Sequence, residues 1–130
     1  MTDKELKFIL NNIEIIVDSR ENENFLIMDF FNKQRIPYTI EKLDTGDYSF
    51  IVNPVIEIGF EGADFRDLVV LERKGSITEL SGNIAQERER FCRELQRAKD
   101  SNMDFTILVE DGSFKDIIEH KYRTNLNEKS

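Results

Sequence analysis

The sequence has little of several residue types that mark particular classes of protein. It holds one cysteine, Cys92, and one histidine, His120, which excludes an internal disulfide and a zinc cluster of cysteine and histidine ligands. No apolar run approaches the roughly 18 residues of a membrane span. The stretch Met1 to Glu5 also lacks the apolar segment of a signal peptide. These absences, and the single cysteine in particular, predict a protein of a reducing, intracellular compartment.

Positive charge is also scarce. The chain has 18 basic and 26 acidic residues, which gives a net charge of −8. This balance disfavours non-specific attraction to nucleic acid, so any nucleic-acid contact would need a local basic patch and metal ions. The 130 residues fit a single domain with one hydrophobic core.

Apolar runs and helical periodicity predict an α/β fold. The predicted helices cover 24–35, 83–100 and 113–120, and Ser76 to Glu79 has the spacing of a capping box. The predicted strands cover 13–18, 38–43, 48–52, 55–58, 68–74 and 105–109, with 48–58 forming a hairpin.

The run Leu68 to Leu71 predicts a buried strand that ends in the charged triplet Glu72, Arg73 and Lys74. Alternation along a strand places Glu72 and Lys74 on one face and Arg73 on the other. Charge at the end of a buried strand is costly without a partner or a metal. The triplet therefore indicates either a structural ion pair or a metal site completed by a carboxylate from another part of the chain.

Two upstream carboxylates could complete such a site. Asp18 ends the apolar run at 15–17, and Asp47 lies in the turn Thr45-Gly46-Asp47-Tyr48. The alternatives are that Asp18 caps a strand end and that Asp47 is only a turn former. Glu57, in the predicted hairpin, is either exposed or a third ligand.

The predicted helix 83–100 carries arginines on two sides. Arg90, Arg93 and Arg97 lie opposite the apolar stripe and indicate a solvated face. Arg88 falls on the apolar side. It either extends along the edge of the core or points into a polar pocket, where it could bind a phosphate or a carboxylate.

Taken in order, these motifs resemble the XPF-type structure-specific endonucleases. The family signature is GD, a variable gap, ERK, three residues and then D. The sequence matches it over about 13–122 with Asp18-Ser19-Arg20-Glu21, Gly46-Asp47-Tyr48, Glu72-Arg73-Lys74, Leu80-x-Gly82 and Arg88. Thr78 occupies the last acidic position. If one residue is inserted, Glu79 takes that role, although Glu79 also ends the capping box.

The resemblance implies a restriction-endonuclease-like α/β core with a mixed central sheet flanked by helices. It implies one nuclease domain over 1–130, without a helix-hairpin-helix or helicase module, of the compact phage or bacterial kind. The implied activity is hydrolysis of branched or flap DNA at single-strand to double-strand junctions in repair or recombination, supported by Mg²⁺ or Mn²⁺. The implied location is the cytoplasm of a bacterial or phage-infected cell, or a eukaryotic nucleus.

The resemblance also assigns the site residues. The metal ligands are Asp47 and Glu72, with Asp18 binding directly or through water. The catalytic set is Asp18, Asp47, Glu72, Arg73, Lys74 and Glu79, and the contacts to DNA come from Arg20, Glu21 and Arg88. A homodimer or heterodimer would use 105–120, with Phe114, Ile117 and Ile118 on its surface, unless these residues pack in the core. The competing functions are an inactive nuclease-like module that binds a protein partner or DNA, and a sequence-specific restriction-type endonuclease.

Overall fold

A mixed β-sheet forms the centre of the computed structural model, which describes residues 1–112, Lys115 and Glu119. Its strands are β1 (Ile13–Asp18), β2 (Tyr38–Glu41), β3 (Tyr48–Val52), β4 (Ala63–Asp64), β5 (Val69–Lys74) and β6 (Asp104–Val109). The α-helices in this part of the chain are α1 (Asp3–Leu10), α2 (Phe25–Gln34), α3 (Ile77–Ala85) and α4 (Arg88–Asp100).

The strand directions bring three motifs to one end of the sheet. The order is β2-β1-β3-β5-β6, with β4 paired to β3. β1 is parallel to β2, β5 is parallel to β6, and β3 is antiparallel to both β1 and β5. Asp47 precedes β3, so it lies beside Asp18 at the end of β1 and beside Lys74 at the end of β5. This arrangement confirms the predicted α/β fold with a restriction-endonuclease-like core.

The core includes residues on both faces of the sheet and residues of helix α4. Ile16 and Val17 of β1 and Val70 of β5 are buried, and α4 buries Phe91 and Ala98. These two α4 residues are seven positions apart and therefore share one face of the helix. Because α4 connects the end of β5, through α3, to the start of β6, its first turns lie toward the end of the sheet that carries the motifs.

Two predicted elements are wrong. The segment 55–58 does not form a hairpin strand. Ile56–Ile58 is a 3-10 turn that ends at Gly59, with φ of 66°, and β3 pairs with Ala63–Asp64 instead. The single helix over 83–100 is two helices, α3 and α4, separated at Gln86 and Glu87. The predicted helix 113–120, with Phe114, Ile117 and Ile118, lies outside the described residues.

Helix α1 was not predicted. Its signal is a capping box at 2–5: the Glu5 backbone N–H donates to Thr2 Oγ1 at 3.2 Å, and the Thr2 backbone N–H donates to Glu5 Oε2 at 2.7 Å. Among the described helices, none combines the length and the apolar character needed to cross a membrane.

Candidate active site

Gly46 sets the position of the Asp47 backbone. Gly46 has φ of 80°, and a Cβ there would lie 2.9 Å from Val70 Cβ, so glycine is required on both counts. The Asp47 N–H donates to the Leu71 carbonyl at 2.9 Å, and the Asp47 carbonyl accepts from the Asp18 N–H at 2.8 Å. The Gly-Asp turn therefore joins the ends of β1 and β5.

The Asp47 side chain then points toward β5. Its Oδ2 accepts a hydrogen bond from the Arg73 backbone N–H at 2.8 Å. Glu72 and Lys74 share one face of β5, as predicted, and Lys74 Nζ lies 3.2 Å from Glu72 Oε1. Their side chains are 12% and 7% exposed, so this ion pair is withdrawn from solvent. Lys74 Nζ also lies 5.5 Å from the centre of the Phe91 ring.

The two carboxylates are hard to ionise. Burial raises the pKa of Asp47 to about 6, against a hydrogen bond from the Arg73 backbone that lowers it. Burial also raises the pKa of Glu72 to about 7, and the negative charge of Asp47 adds to this effect. Lys74 lowers both values but does not offset the burial. The Asp47 and Glu72 carboxylates are thus partly buried and near enough to repel each other, and Lys74 does not fully compensate their negative charge.

This donor set fits a hard divalent cation. Carboxylate oxygens are the ligands that Mg²⁺ and Mn²⁺ prefer, and a cation would relieve the repulsion that raises the pKa of Glu72. In the described part of the chain, hydrogen bonds use only Asp47 Oδ2 and Glu72 Oε1. The second oxygen of each carboxylate is therefore available to a ligand.

Asp18 does not join this pair. Its Oδ1 accepts from the Leu43 N–H at 2.8 Å, and its Oδ2 accepts from Arg20 Nε at 3.0 Å. Burial would raise the pKa of Asp18, but the hydrogen bonds from Arg20 and Leu43 outweigh it and lower the pKa. No three His, Cys, Asp or Glu side chains of the described residues are grouped to hold a metal. The contacts of Asp18 are those of a strand-end cap, and its binding to a metal, directly or through water, stays a prediction that these contacts do not favour.

Arg73 points away from Glu72 and Lys74, as predicted, into a buried ion pair with Glu21. Arg73 Nε donates to Glu21 Oε2 at 2.8 Å, and each side chain is 8% exposed. Arg73 Nη2 donates to the Asn22 carbonyl at 2.8 Å, and Nη1 to Glu110 Oε2 at 3.3 Å. These contacts hold the loop after β1 against β5 and make Glu21 a partner of Arg73. A DNA contact by Glu21 stays a prediction that these contacts do not favour.

The other two residues predicted to contact DNA reach solvent. The Arg20 side chain is 62% exposed although its guanidinium binds Asp18. Arg88 is exposed at the first position of α4, because the break at 86–87 changes the helical face on which it lies. It therefore does not extend along the core, and its contact with phosphate stays a prediction.

Glu79 makes capping contacts. Its backbone N–H donates to Ser76 Oγ at 3.1 Å, and its Oε2 accepts from the Gly75 N–H at 2.7 Å. Both Glu79 and Thr78 are exposed. The alternative of helix capping accounts for these contacts, and a catalytic role for Glu79 stays a prediction.

Comparison with known proteins identifies the family. The model of the ERCC4 domain matches residues 17–130. This chain belongs to the ERCC4 domain family. The match confirms the XPF-type resemblance. The ERCC4 domain is a nuclease domain, and its family acts on DNA. A search of curated proteins finds no match.

One charged residue near the site of this ERCC4 domain was not predicted from the sequence. The negative charge of Glu94, on α4, raises the pKa of both Asp47 and Glu72, after the effect of burial. Glu94 lies three residues after Phe91, whose ring contacts Lys74, and so one helical turn along the face toward the sheet. This spacing could have predicted that Glu94 lies near the site, but only with the knowledge that Phe91 packs against Lys74.

Proposed function

We propose that this ERCC4 domain is a metal-dependent endonuclease that hydrolyses phosphodiester bonds of DNA at branched or flap junctions, in repair or recombination. The observation that carries the proposal is the convergence of Asp47, Glu72 and Lys74 at one end of the sheet. Two carboxylates with raised pKa values beside a buried ammonium group are an arrangement typical of a catalytic centre.

Asp47 and Glu72 would hold Mg²⁺ or Mn²⁺ through their available oxygens. When bound, such a cation supplies stabilisation of negative charge on the phosphate and activation of water. The protein contributes a fixed position for each carboxylate. The Gly46 turn and the Arg73 N–H hold Asp47, and strand β5 with Lys74 holds Glu72.

Lys74 would act directly on the reacting groups. Glu72 and the Phe91 ring hold its ammonium group in place, so it needs little reorganisation to donate to a phosphate oxygen or to orient the attacking water. Arg73 would be a positioning residue, because its guanidinium is committed to Glu21 and Glu110. Asp18 and Arg20 would stabilise the turn at 18–20 beside the site.

The junction preference is supported by membership of the family and by the motif set, not by a particular contact. The net charge of −8 predicts weak DNA binding. Binding that does occur should be salt-sensitive, because it depends on cations that replace counterions along the backbone. A homodimer or a heterodimer would enlarge that contact surface. DNA as substrate also implies action inside a cell.

A cleavage assay on several DNA forms tests the proposal. End-labelled flap, splayed-arm and plain duplex DNA are incubated with the chain in Mg²⁺, Mn²⁺ or EDTA. We expect cutting only with metal and preferentially near the junction. We also expect a loss of at least about 100-fold in Asp47→Ala and Lys74→Ala. Glu57→Gln is the matched control, because Glu57 is an exposed carboxylate outside the site.

The same assay separates the alternatives. A folded wild type that never cuts, with any junction and either metal, would contradict the proposal and favour a binding module. Cutting of plain duplex at one sequence would instead favour a restriction-type endonuclease.

A further inference from the structure

The outer side of helix α4 carries exposed arginines. Arg90, Arg93 and Arg97 are exposed and form what we call the arginine surface. Helix α4 contains five basic and three acidic residues. Its local charge is therefore +2, in a chain whose net charge is −8. Positive charge is therefore concentrated on this helix against the balance of the whole molecule.

These arginines are not committed to other residues in the way most of the sheet's cations are. Arg93 and Arg97 make no ion pair with any described residue, and Arg90 has only a loose contact, 3.8 Å, with Glu87. The cations of the sheet and its loops have closer partners: Arg20 with Asp18, Arg66 with Glu41 and Asp64, Arg73 with Glu21, and Lys74 with Glu72. Among these cations, the arginine surface is the part best able to accept an outside anion.

The arginine surface lies on the same helix as two residues beside the site, Phe91 and Glu94. Phe91, Glu94 and Arg97 form one row at a spacing of three residues, and each step turns about 60° around the helix. Phe91 is buried against Lys74, and Glu94 influences Asp47 and Glu72 electrostatically. Arg97 is the next position, at the solvent side. Going around helix α4, the arginine surface therefore follows the face that meets the site.

The surface is grooved where the arginines lie. One groove of about 380 Å³ is lined by Arg90, Arg93 and Arg97 with polar residues of α4. A second groove of about 600 Å³, around the break between α3 and α4, is lined by Arg88, Arg90 and Arg93. Arg90 and Arg93 line both grooves.

We propose that the arginine surface binds the phosphate backbone of the DNA strand that leads away from the catalytic carboxylates. The inference rests on the proposed function and adds the path of the substrate. From Arg90 to Arg97 the helix rises about 10 Å, which corresponds to about three phosphates along one strand of a duplex. A guanidinium group matches a phosphate through paired N–H donors.

Nearby acidic side chains limit the strength of this contact. Glu87, Glu89 and Asp100 lie on or beside the same grooves, and their charges offset part of the positive field. Binding should therefore be weak, and because it comes from arginines that displace counterions, it should fall further as the salt concentration rises. Contacts to phosphates position the DNA without reading its bases, as expected of an enzyme that recognises the shape of a junction.

Fluorescence anisotropy of a labelled splayed-arm DNA in EDTA, across a series of KCl concentrations, tests the inference. The surface variant is R90Q/R93Q/R97Q. We expect its affinity at low salt to fall at least about tenfold, and its slope of log affinity against log salt to lessen by about 2 to 3. Because all three positions are exposed, circular dichroism should show an unchanged fold. The single reversal Arg93→Glu is a second, smaller perturbation.

The matched control is Lys4→Gln/Lys7→Gln/Arg35→Gln. It removes the same charge from exposed positions that precede the starts of β1 and β2, at the end of the sheet opposite the site. We expect this control to bind DNA nearly as the wild type does. Equal losses in the two variants would show a general effect of net charge and would overturn the inference. A wild type that does not bind DNA would overturn it too.

Because the assay needs no cleavage, it separates this inference from the proposed function. Loss of binding confined to the surface variant, in a chain that cuts no junction, would support the DNA path and contradict the nuclease proposal. A surface variant that cuts flap DNA with an unchanged KM and salt slope would overturn the DNA path alone. If the path is right, its KM rises while its kcat at saturating DNA stays near the wild-type value.

Discussion

Without metal, the stability of this ERCC4 domain should fall as the pH rises from 5 to 8. The pKa of Asp47 is about 6 in the folded chain, against an ordinary value of 3.8, and that of Glu72 is about 7, against 4.5. The folded chain therefore holds these protons more tightly than the unfolded chain does. The contribution to stability is fully present below about pH 4 and is lost as the pH passes through 6 and 7.

The size of this loss follows from the Asp47 value. A carboxyl whose pKa is raised from 3.8 to about 6 lowers the free energy of unfolding by about 3 kcal/mol once it is ionised. The effect of Glu72 is not simply added, because part of its raised pKa comes from the same repulsion. Asp18 and Asp64, whose pKa values are lowered, act in the opposite direction, but only below about pH 4.

Urea denaturation in EDTA at pH 5 and pH 8 measures this effect. About 1.4 kcal/mol of the Asp47 effect falls between these two pH values, because the unfolded chain is already largely ionised at pH 5. We expect the free energy of unfolding to be lower at pH 8 by at least this amount, and the difference to be smaller in Asp47→Asn. Mg²⁺ at about ten times its Kd should restore about 1.4 kcal/mol at pH 8 and less at pH 5, where protons compete. A free energy that is flat or rises between pH 5 and pH 8 in EDTA would refute the reasoning.

Three substitutions test the parts that surround the site. Arg73→Met should lower the free energy of unfolding by about 3 to 5 kcal/mol, because it leaves the Glu21 carboxylate buried and unpaired; a loss below about 1 kcal/mol in urea denaturation would show that the pair is not structural. Gly46→Ala should cost at least about 2 kcal/mol in thermal unfolding, since its positive φ is strained and its Cβ would meet Val70, and an unchanged Tm would contradict this. Glu79→Gln should keep the cleavage rate within about threefold of the wild type and lose less than about 1 kcal/mol of stability, as a capping residue would. A 100-fold slower rate would instead support a catalytic role for Glu79.

The sequence was most informative where one local pattern decides the structure. The apolar runs at β1, β3, β5 and β6 were predicted to within one residue, because these strands lie inside the sheet or are covered by α4. The triplet at 72–74 was also predicted correctly, since alternation along a strand decides which side chains share a face. The Gly-Asp turn followed from the same kind of local rule.

The remaining features depend on contacts that are distant in the sequence. Arg73 and Glu21 are 52 positions apart, and no local pattern pairs them. Arg20 and the Leu43 N–H both donate hydrogen bonds to Asp18. The bond from Leu43 depends on the path of the loop after β2, which no local pattern predicts. The break at 86–87 was missed because the helical pattern continues across it, and this moved Arg88 to the wrong face.

The most direct test of the nuclease proposal is the single-turnover rate at which the chain cuts a labelled flap DNA in Mg²⁺. The same rate is measured in EDTA and with Asp47→Ala, after circular dichroism has shown that the variant is folded. The account predicts cutting near the junction in Mg²⁺, none in EDTA, and a rate at least about 100-fold lower in the variant. Cutting at the wild-type rate in EDTA or by Asp47→Ala would contradict it.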